Sequence, residues 1–196
     1  NHHIDGRIEI NGEVFDAVVL AVAPYHVDAL LPEDTPDYIQ TAYQSLHYHA
    51  ITTVYLRYAQ TVKLPAPLTG LDDGTAQWVL HRGALGLPDN EVAVVISVSD
   101  YTEAWKDKDL AEKIHADIKR VCPDLDKPEA VRIITEKRAT TAATVDFVQP
   151  DFSWLHHRRI YPAGDYLHPR YPATLEAAVQ SGFAAAEKLM LDLRFE

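Results

Sequence analysis

Polar and apolar positions alternate at the start of the chain. In "RIEINGEVF", Arg7, Glu9 and Asn11 interleave with Ile8, Ile10 and Gly12. This period of two predicts strands with one wet face, and Asn11-Gly12 predicts a hairpin turn between them. The run "DAVVLAVA" then loses its polar members, as strands buried on both faces do, and predicts a strand over residues 17–23. Pro24 stands where a helix can begin, and "PYHVDALLP" gives one or two turns before Pro32. "PEDTPDYI" reads as a loop with exposed acids.

The middle of the chain keeps the strand pattern. "HYHAITTVYLRYA" is rich in β-branched and aromatic residues and predicts a long strand. "KLPAPLTGLDDGTA" is rich in turn formers, with "QWVLHRG" a short strand leaving it and "EVAVVISVSD" a further apolar strand. Over residues 102–121 the period changes: Leu110, Ile114, Ile118 and Val121 fall on one helical face, and Cys122-Pro123 ends the helix. "AVRIITEKRATTAATV" predicts another strand, with Arg132, Glu136 and Arg138 to one side. "DFVQPDFSWLHHRR" reads as a loop and "IYPAG" as a short strand end. A last helix follows over residues 174–191. Its stripe of Leu175, Val179, Phe183, Ala186 and Met190 is expected to pack on the body of the protein. The sum is an α/β fold with mixed α+β character.

Composition narrows the function. A hydrophobic share of 47% over 196 residues supports a packed core. The formal net charge of −11 argues against a nucleic-acid partner. Cys122 is the single cysteine, so no internal disulfide forms, which suits a reducing, cytoplasmic setting. No apolar run is long enough to cross a bilayer, and "NHHIDGRIEI" resembles neither a signal nor a transit peptide. A chain opening within a β-meander is expected to be the later part of a longer protein.

The stretch with the most chemical content is "YPAGDYLHPRYPATLEAAVQSGFAAAEKL". Gly164-Asp165 ends a strand, Thr174 is a candidate N-cap, and Glu176 suits the positive end of the helix dipole. Ala173, Ala177, Ala178 and Gly182 leave little bulk near the helix start. Two readings stand: a capped, Ala-rich packing helix, or a helix whose first N–H groups meet the edge of a planar, electron-rich ligand while Asp165 accepts from hydroxyls.

As a whole the stretch resembles the C-terminal FAD-binding segment of the flavin amine oxidase and phytoene desaturase superfamily. The resemblance implies that Gly164 and Asp165 contact the ribityl–pyrophosphate part of FAD. It also implies that Thr174 and the N–H of Leu175, with Glu176 and Ala177 beside them, point at the pyrimidine edge of the flavin. "DAVVLAVAPYHVDALLP" is similar to the strand–turn–helix closing near the cofactor, which places Ala23 and Pro24 at its turn. "ITTVYLRYAQTVKLPAPLTGL", "AQWVLHRG", "VISVSD" and "ITEKRATTAAT" resemble one branch, the squalene-associated FAD-dependent desaturases or hydroxysqualene dehydroxylases. Ala177-Ala178 departs from the Gly-Ala of many relatives, and G-x-G-x-x-G does not occur.

By this resemblance the chain is the C-terminal portion of a two-domain FAD-binding oxidoreductase lacking the N-terminal glycine-rich Rossmann turn. Residues 1–35 and 142–196 would belong to the FAD domain and 36–141 to a substrate domain of sheet plus helix. The expected partners are a hydrophobic isoprenoid hydrocarbon or alcohol and the missing N-terminal half. Peripheral membrane contact and a homo-oligomer built on an open sheet edge are expected as well. Two other functions remain: an escort module for lipidated proteins on the same scaffold, and an amine or porphyrinogen oxidase. Thr174 before Leu175 weakens the amine-oxidising reading.

Other constellations carry less. His47, His49, His81 and the His156-His157 pair lack zinc-site spacing and read as ordinary polar positions. Trp78, Tyr55 and Tyr58 are either sheet packing or the lining of an apolar substrate channel. Ser97 and Ser99 have no G-x-S-x-G elbow around them.

Overall fold

The computed structural model describes residues 6–144 and 151–194. In chain order its elements are β1 (Ile8–Ile10), β2 (Glu13–Phe15), β3 (Val18–Leu20), α1 (Pro24–Val27), α2 (Asp37–Gln44), β4 (Tyr48–Arg57) and β5 (Leu68–Gly70). There follow β6 (Trp78–His81), β7 (Glu91–Ser97), α3 (Asp107–Lys119), β8 (Ala130–Thr141), α4 (Ser153–His157), β9 (Ile160–Pro162) and α5 (Leu175–Asp192). Ile4 and Asp5 of the predicted meander, and residues 145–150 of the predicted strand end and loop, lie outside the described residues.

The chain forms two compact units: residues up to His47 together with those from Thr141 on, and Tyr48–Thr140. The helix α2 belongs to the first unit. There Ile39 and Tyr43 join Ile8, Leu20, Val27, Leu155 and Ile160 in one core.

In this first unit the hairpin forms as its sequence predicts. Ile8 faces Phe15, and Asn11 and Gly12 both take the positive φ that a primed turn demands. The run over residues 17–23 yields the shorter β3, which pairs in parallel with β9: Val18 with Ile160, Val19 with Tyr161, Leu20 with Pro162. Two predicted loops contain helices. Within "PEDTPDYI", Pro36 fixes φ at the N-cap, Asp37 occupies the first turn, and Ile39 and Tyr43 bury one face of α2. Within "DFSWLHH", Asp151 accepts the Ser153 N–H at 2.8 Å, which starts α4 and turns Leu155 into the core.

The second unit is a five-stranded sheet of order β5-β6-β7-β4-β8 with α3 on one face. Val54, Leu56, Val79, Val92, Val94 and Ile96 alternate onto that face and pack on Leu110, Ile114 and Ile118. The predicted helix over residues 102–121 is realised as α3 after a 3-10 turn at Ser99–Thr102. Asp117 holds the preceding loop to α3 by accepting the N–H groups of Thr75 and Ala76 at 2.7 and 2.9 Å. Tyr58 belongs to this core and not to a channel: its ring is fully buried and its hydroxyl meets His115 Nδ1 at 3.2 Å.

The last helix reverses its expected face. Leu175 is 89% and Phe183 67% exposed, and Val179 and Met190 are about half exposed. The buried side is made of Ala177 and Ala185, with Leu189 packing on the Tyr161–Ala163 cluster. Small residues win this face because they let the helix backbone come close to β9. Among the described residues no helix is long and apolar enough to cross a membrane.

Candidate functional site

The parallel pairing of β3 and β9 sets the geometry of the candidate site. Both strands end on the same edge, and the pairing extends there through the Ala163 N–H to the Leu20 carbonyl at 2.9 Å. One strand then leads to Ala23-Pro24, the other to Gly164-Asp165. The carboxyl ends of neighbouring parallel strands are the usual ligand edge of an α/β sheet. Pro24 opens α1, and the Ala23 carbonyl accepts the His26 N–H at 2.8 Å.

Gly164 is needed for close approach. A Cβ there would lie 2.3 Å from Cε1 of Tyr166, a buried ring that packs edge-on against Tyr43 with centroids 6.0 Å apart. The Gly164 N–H donates to Ser181 Oγ on α5 at 3.0 Å. Asp165 starts a 3-10 turn through Leu167. Its carboxylate has no hydrogen-bond or ion-pair partner among the described residues.

The chain returns from this turn to the start of α5. The Ala173 N–H reaches the Asp165 carbonyl at 3.4 Å, and Ala173 takes a left-handed φ of 60°. Thr174 is the N-cap: its Oγ1 accepts the Ala177 N–H at 3.1 Å and donates to the Tyr171 carbonyl at 2.9 Å. The first-turn N–H groups of Leu175 and Glu176 precede any intrahelical acceptor and carry the positive end of an 18-residue dipole. Ala177 plays a packing part, with its side chain buried and its N–H spent on the cap. The Glu176 carboxylate turns along the helix to accept from Gln180 Nε2 at 2.6 Å.

The intervening loop is braced by a network that no local pattern announces. His168 Nδ1 accepts the N–H groups of Arg170 and Tyr171 at 3.2 and 3.4 Å. Nε2 therefore carries the ring proton and donates to Gln180 Oε1 at 3.0 Å. The Tyr171 hydroxyl donates to the same oxygen at 3.1 Å, and its ring stacks on His168 at 3.9 Å. Beside this loop a cavity of about 500 Å³ is lined by Leu46, Ala142, Tyr166, His168 and Arg170. All the predicted segments thus meet at one edge. Nothing local in the sequence announces the parts played by Ser181, Tyr166 and His168; Ser181 stands there as one more small residue of the helix.

Among the described residues no His, Cys, Asp or Glu cluster is placed to hold a metal. His49 instead lies 3.4 Å from Asp100.

The chain is similar to known proteins over most of its length. The model of a family described as flavin-containing amine oxidoreductase matches residues 3–190. The hydroxysqualene dehydroxylase of Zymomonas mobilis subsp. mobilis is 30% identical over 183 residues, and that of Rhodopseudomonas palustris 33% over 180. The alignments cover 88% and 89% of this chain, which spans 38% of the length of either relative. Among solved structures, reduced UDP-galactopyranose mutase superposes with a TM-score of 0.67 at 14% identity, covering 95% of this chain and 44% of the other. Putrescine oxidase bound to putrescine gives 0.61 at 14%, covering 89% and 42%. At such identities the superpositions establish the fold alone, a mixed α/β fold that these proteins share. With the family match running through both strand-end turns and into α5, the chain belongs to the flavin-containing amine oxidoreductase family, and FAD is the cofactor that goes with it.

Proposed function

We propose that the chain supplies the closing edge of the FAD site and a substrate wall in an oxidoreductase acting on a long isoprenoid hydrocarbon or alcohol. Conversion of hydroxysqualene to squalene, or a related desaturation, is the reaction favoured by the names of the two relatives. The observation that carries the cofactor assignment is the unpartnered Asp165 carboxylate beside Gly164 on the shared edge of β3 and β9. A carboxylate placed there accepts from the hydroxyls of a ribityl chain, and a glycine beside it admits a close backbone approach. Ala23 and Pro24 form the neighbouring turn. The N–H groups of Leu175 and Glu176 would face the electron-rich edge of the ring and favour the negative charge of its reduced form, with Thr174 and Ala177 holding the helix start.

The FAD, when bound, supplies the hydride chemistry. Residues of the second unit would hold the hydrocarbon: Tyr55, Trp78 and Val95 lie on the sheet face that α3 does not cover. A substrate of this kind resides in bilayers, so peripheral membrane contact belongs to the proposal, as does the remainder of the protein that must complete the FAD domain.

The test is the visible spectrum of the whole protein beside Asp165→Ala. A flavin band in the parent, weakened or lost in the variant at unchanged melting temperature, is the expected result. A parent that stays colourless after incubation with excess FAD would refute the assignment.

A further inference from the structure

The two faces of the five-stranded sheet differ in character. The open face is ordered in rows by the strand register. Tyr55, Ala93, Leu80 and Leu68 stand side by side, and Thr53, Val95, Trp78 and Gly70 form the next row. Leu68, Trp78 and the β8 residue Ile134 are each about half exposed, so the surface is apolar and accessible. On the other side of the Tyr55 row, Arg57 stands opposite Glu91. There Arg82 Nη1 donates to Glu91 Oε2 at 2.5 Å, and its guanidinium carbon lies 5.4 Å from the centroid of the Tyr55 ring. A cavity of about 530 Å³ opens at this end, lined by Tyr55, Arg57, Arg82, Glu91, Arg132 and Ile134.

Three guanidiniums therefore share one cavity with one carboxylate, in a chain whose formal net charge is −11. Glu91 is already engaged by Arg82, while Arg57 and Arg132 form no ion pair among the described residues. Arg82 is held in place by its carboxylate and by the aromatic ring, so part of the ordering cost is met before any ligand arrives. The planar fork of arginine matches phosphate oxygens, and an adjoining aromatic and aliphatic face suits a hydrocarbon.

We propose that this cavity takes the phosphate or diphosphate head of a single-chain amphiphile, with its hydrocarbon running along the Tyr55 and Trp78 rows. From Arg57 to Ile51 along β4 is about 20 Å at the usual rise of a strand, room for an extended prenyl chain. The inference rests on the reading of this face as the wall for an isoprenoid chain, and adds an anionic amphiphile as a second ligand of that wall beside the uncharged hydrocarbon or alcohol of the redox reaction.

The test is calorimetric titration of the whole protein with farnesyl diphosphate and with farnesol, in the parent and in Arg57→Gln/Arg132→Gln. Both arginines are exposed, so the variant is expected to keep its melting temperature and its flavin band. The parent should prefer the diphosphate by about tenfold or more, as charge-assisted hydrogen bonds to two arginines require. The double variant should lose that preference and keep its affinity for farnesol. Equal affinity for the two ligands, or a preference that survives the double substitution, overturns the proposal. So does binding confined to phosphatidylglycerol vesicles, which would assign the arginines to a membrane surface. Any of these results with the flavin band intact leaves the oxidoreductase reading standing, and a colourless parent refutes that reading alone.

Discussion

Ser181 accepts a hydrogen bond from the backbone N–H of Gly164 at 3.0 Å, and this contact sets how near α5 lies to the end of β9. The helix reaches that distance only because Ala177 and Ala185 face the same way. Ser181→Ala removes the acceptor and should lower stability by about 1 kcal/mol, read from urea denaturation. Gly164→Ala should cost more, about 1–3 kcal/mol, because the new methyl meets the buried Tyr166 ring and that ring is confined by Tyr43. A Gly164→Ala variant as stable as the parent would show that the turn has room to spare.

A second relationship stabilises the other unit. Thr52 Oγ1 lies 2.8 Å from Ser99 Oγ and 2.8 Å from Thr135 Oγ1, in a fully buried position. Thr52→Val keeps the shape and removes both bonds, leaving two hydroxyls without their partner, so a loss of about 2 kcal/mol is expected. Adding Ser99→Ala should cost less than it does alone, because Thr52 no longer needs an acceptor or donor there. Strict additivity in the double-mutant cycle would show that the three hydroxyls do not act as a unit.

How much of this was legible depends on range. Asn11-Gly12 and the stripe of Leu110, Ile114 and Ile118 are local signals, and both elements form where the sequence puts them. The helix at Asp37–Gln44 was hidden by its acids and prolines, although Pro36, Asp37 and the Ile39/Tyr43 spacing do encode it. In α5 the apolar period marks a helix correctly but points to the wrong face. Large side chains dominate such a pattern, whereas close backbone approach selects alanine and serine. The candidate site was legible as three separate segments. Their meeting depends on the parallel pairing of Val18 with Ile160, a contact distant in sequence that no window along the chain contains.

The outer stripe of α5 leads to another expectation. Leu175, Val179, Phe183 and Met190 are large apolar side chains, each half exposed or more, on the outer side of α5, a surface suited to self-association. The 196-residue chain purified alone should self-associate with concentration, seen as a shift in size-exclusion elution. Phe183→Glu should reduce that shift without lowering helix content, since the ring is 67% exposed and packs on little. A parent that elutes as a monomer at high concentration would exclude this stripe as an adhesive surface.

Stability should also depend on pH through His115. Burial, and then the nearby Lys119 and Lys127, push its pKa below the ordinary 6.5. In the unfolded chain His115 takes up its proton near pH 6.5, whereas the folded protein resists until the pH is lower. Between those values the unfolded state binds more protons, so stability rises with pH there. The contribution is complete above about pH 6.5 and is lost as the pH falls through the folded value. His156, also pushed down chiefly by burial, acts in the same direction. The lowered carboxyls of Asp151 and Asp192 start from an ordinary 3.8 and titrate below this window. Unfolding free energies at pH 7.5 and 5.5 should therefore differ less in His115→Gln than in the parent, and least in His115→Gln/His156→Gln. Glutamine can still accept from the Tyr58 hydroxyl, so the comparison isolates the charge. Identical pH slopes in parent and double variant would place the acid sensitivity elsewhere.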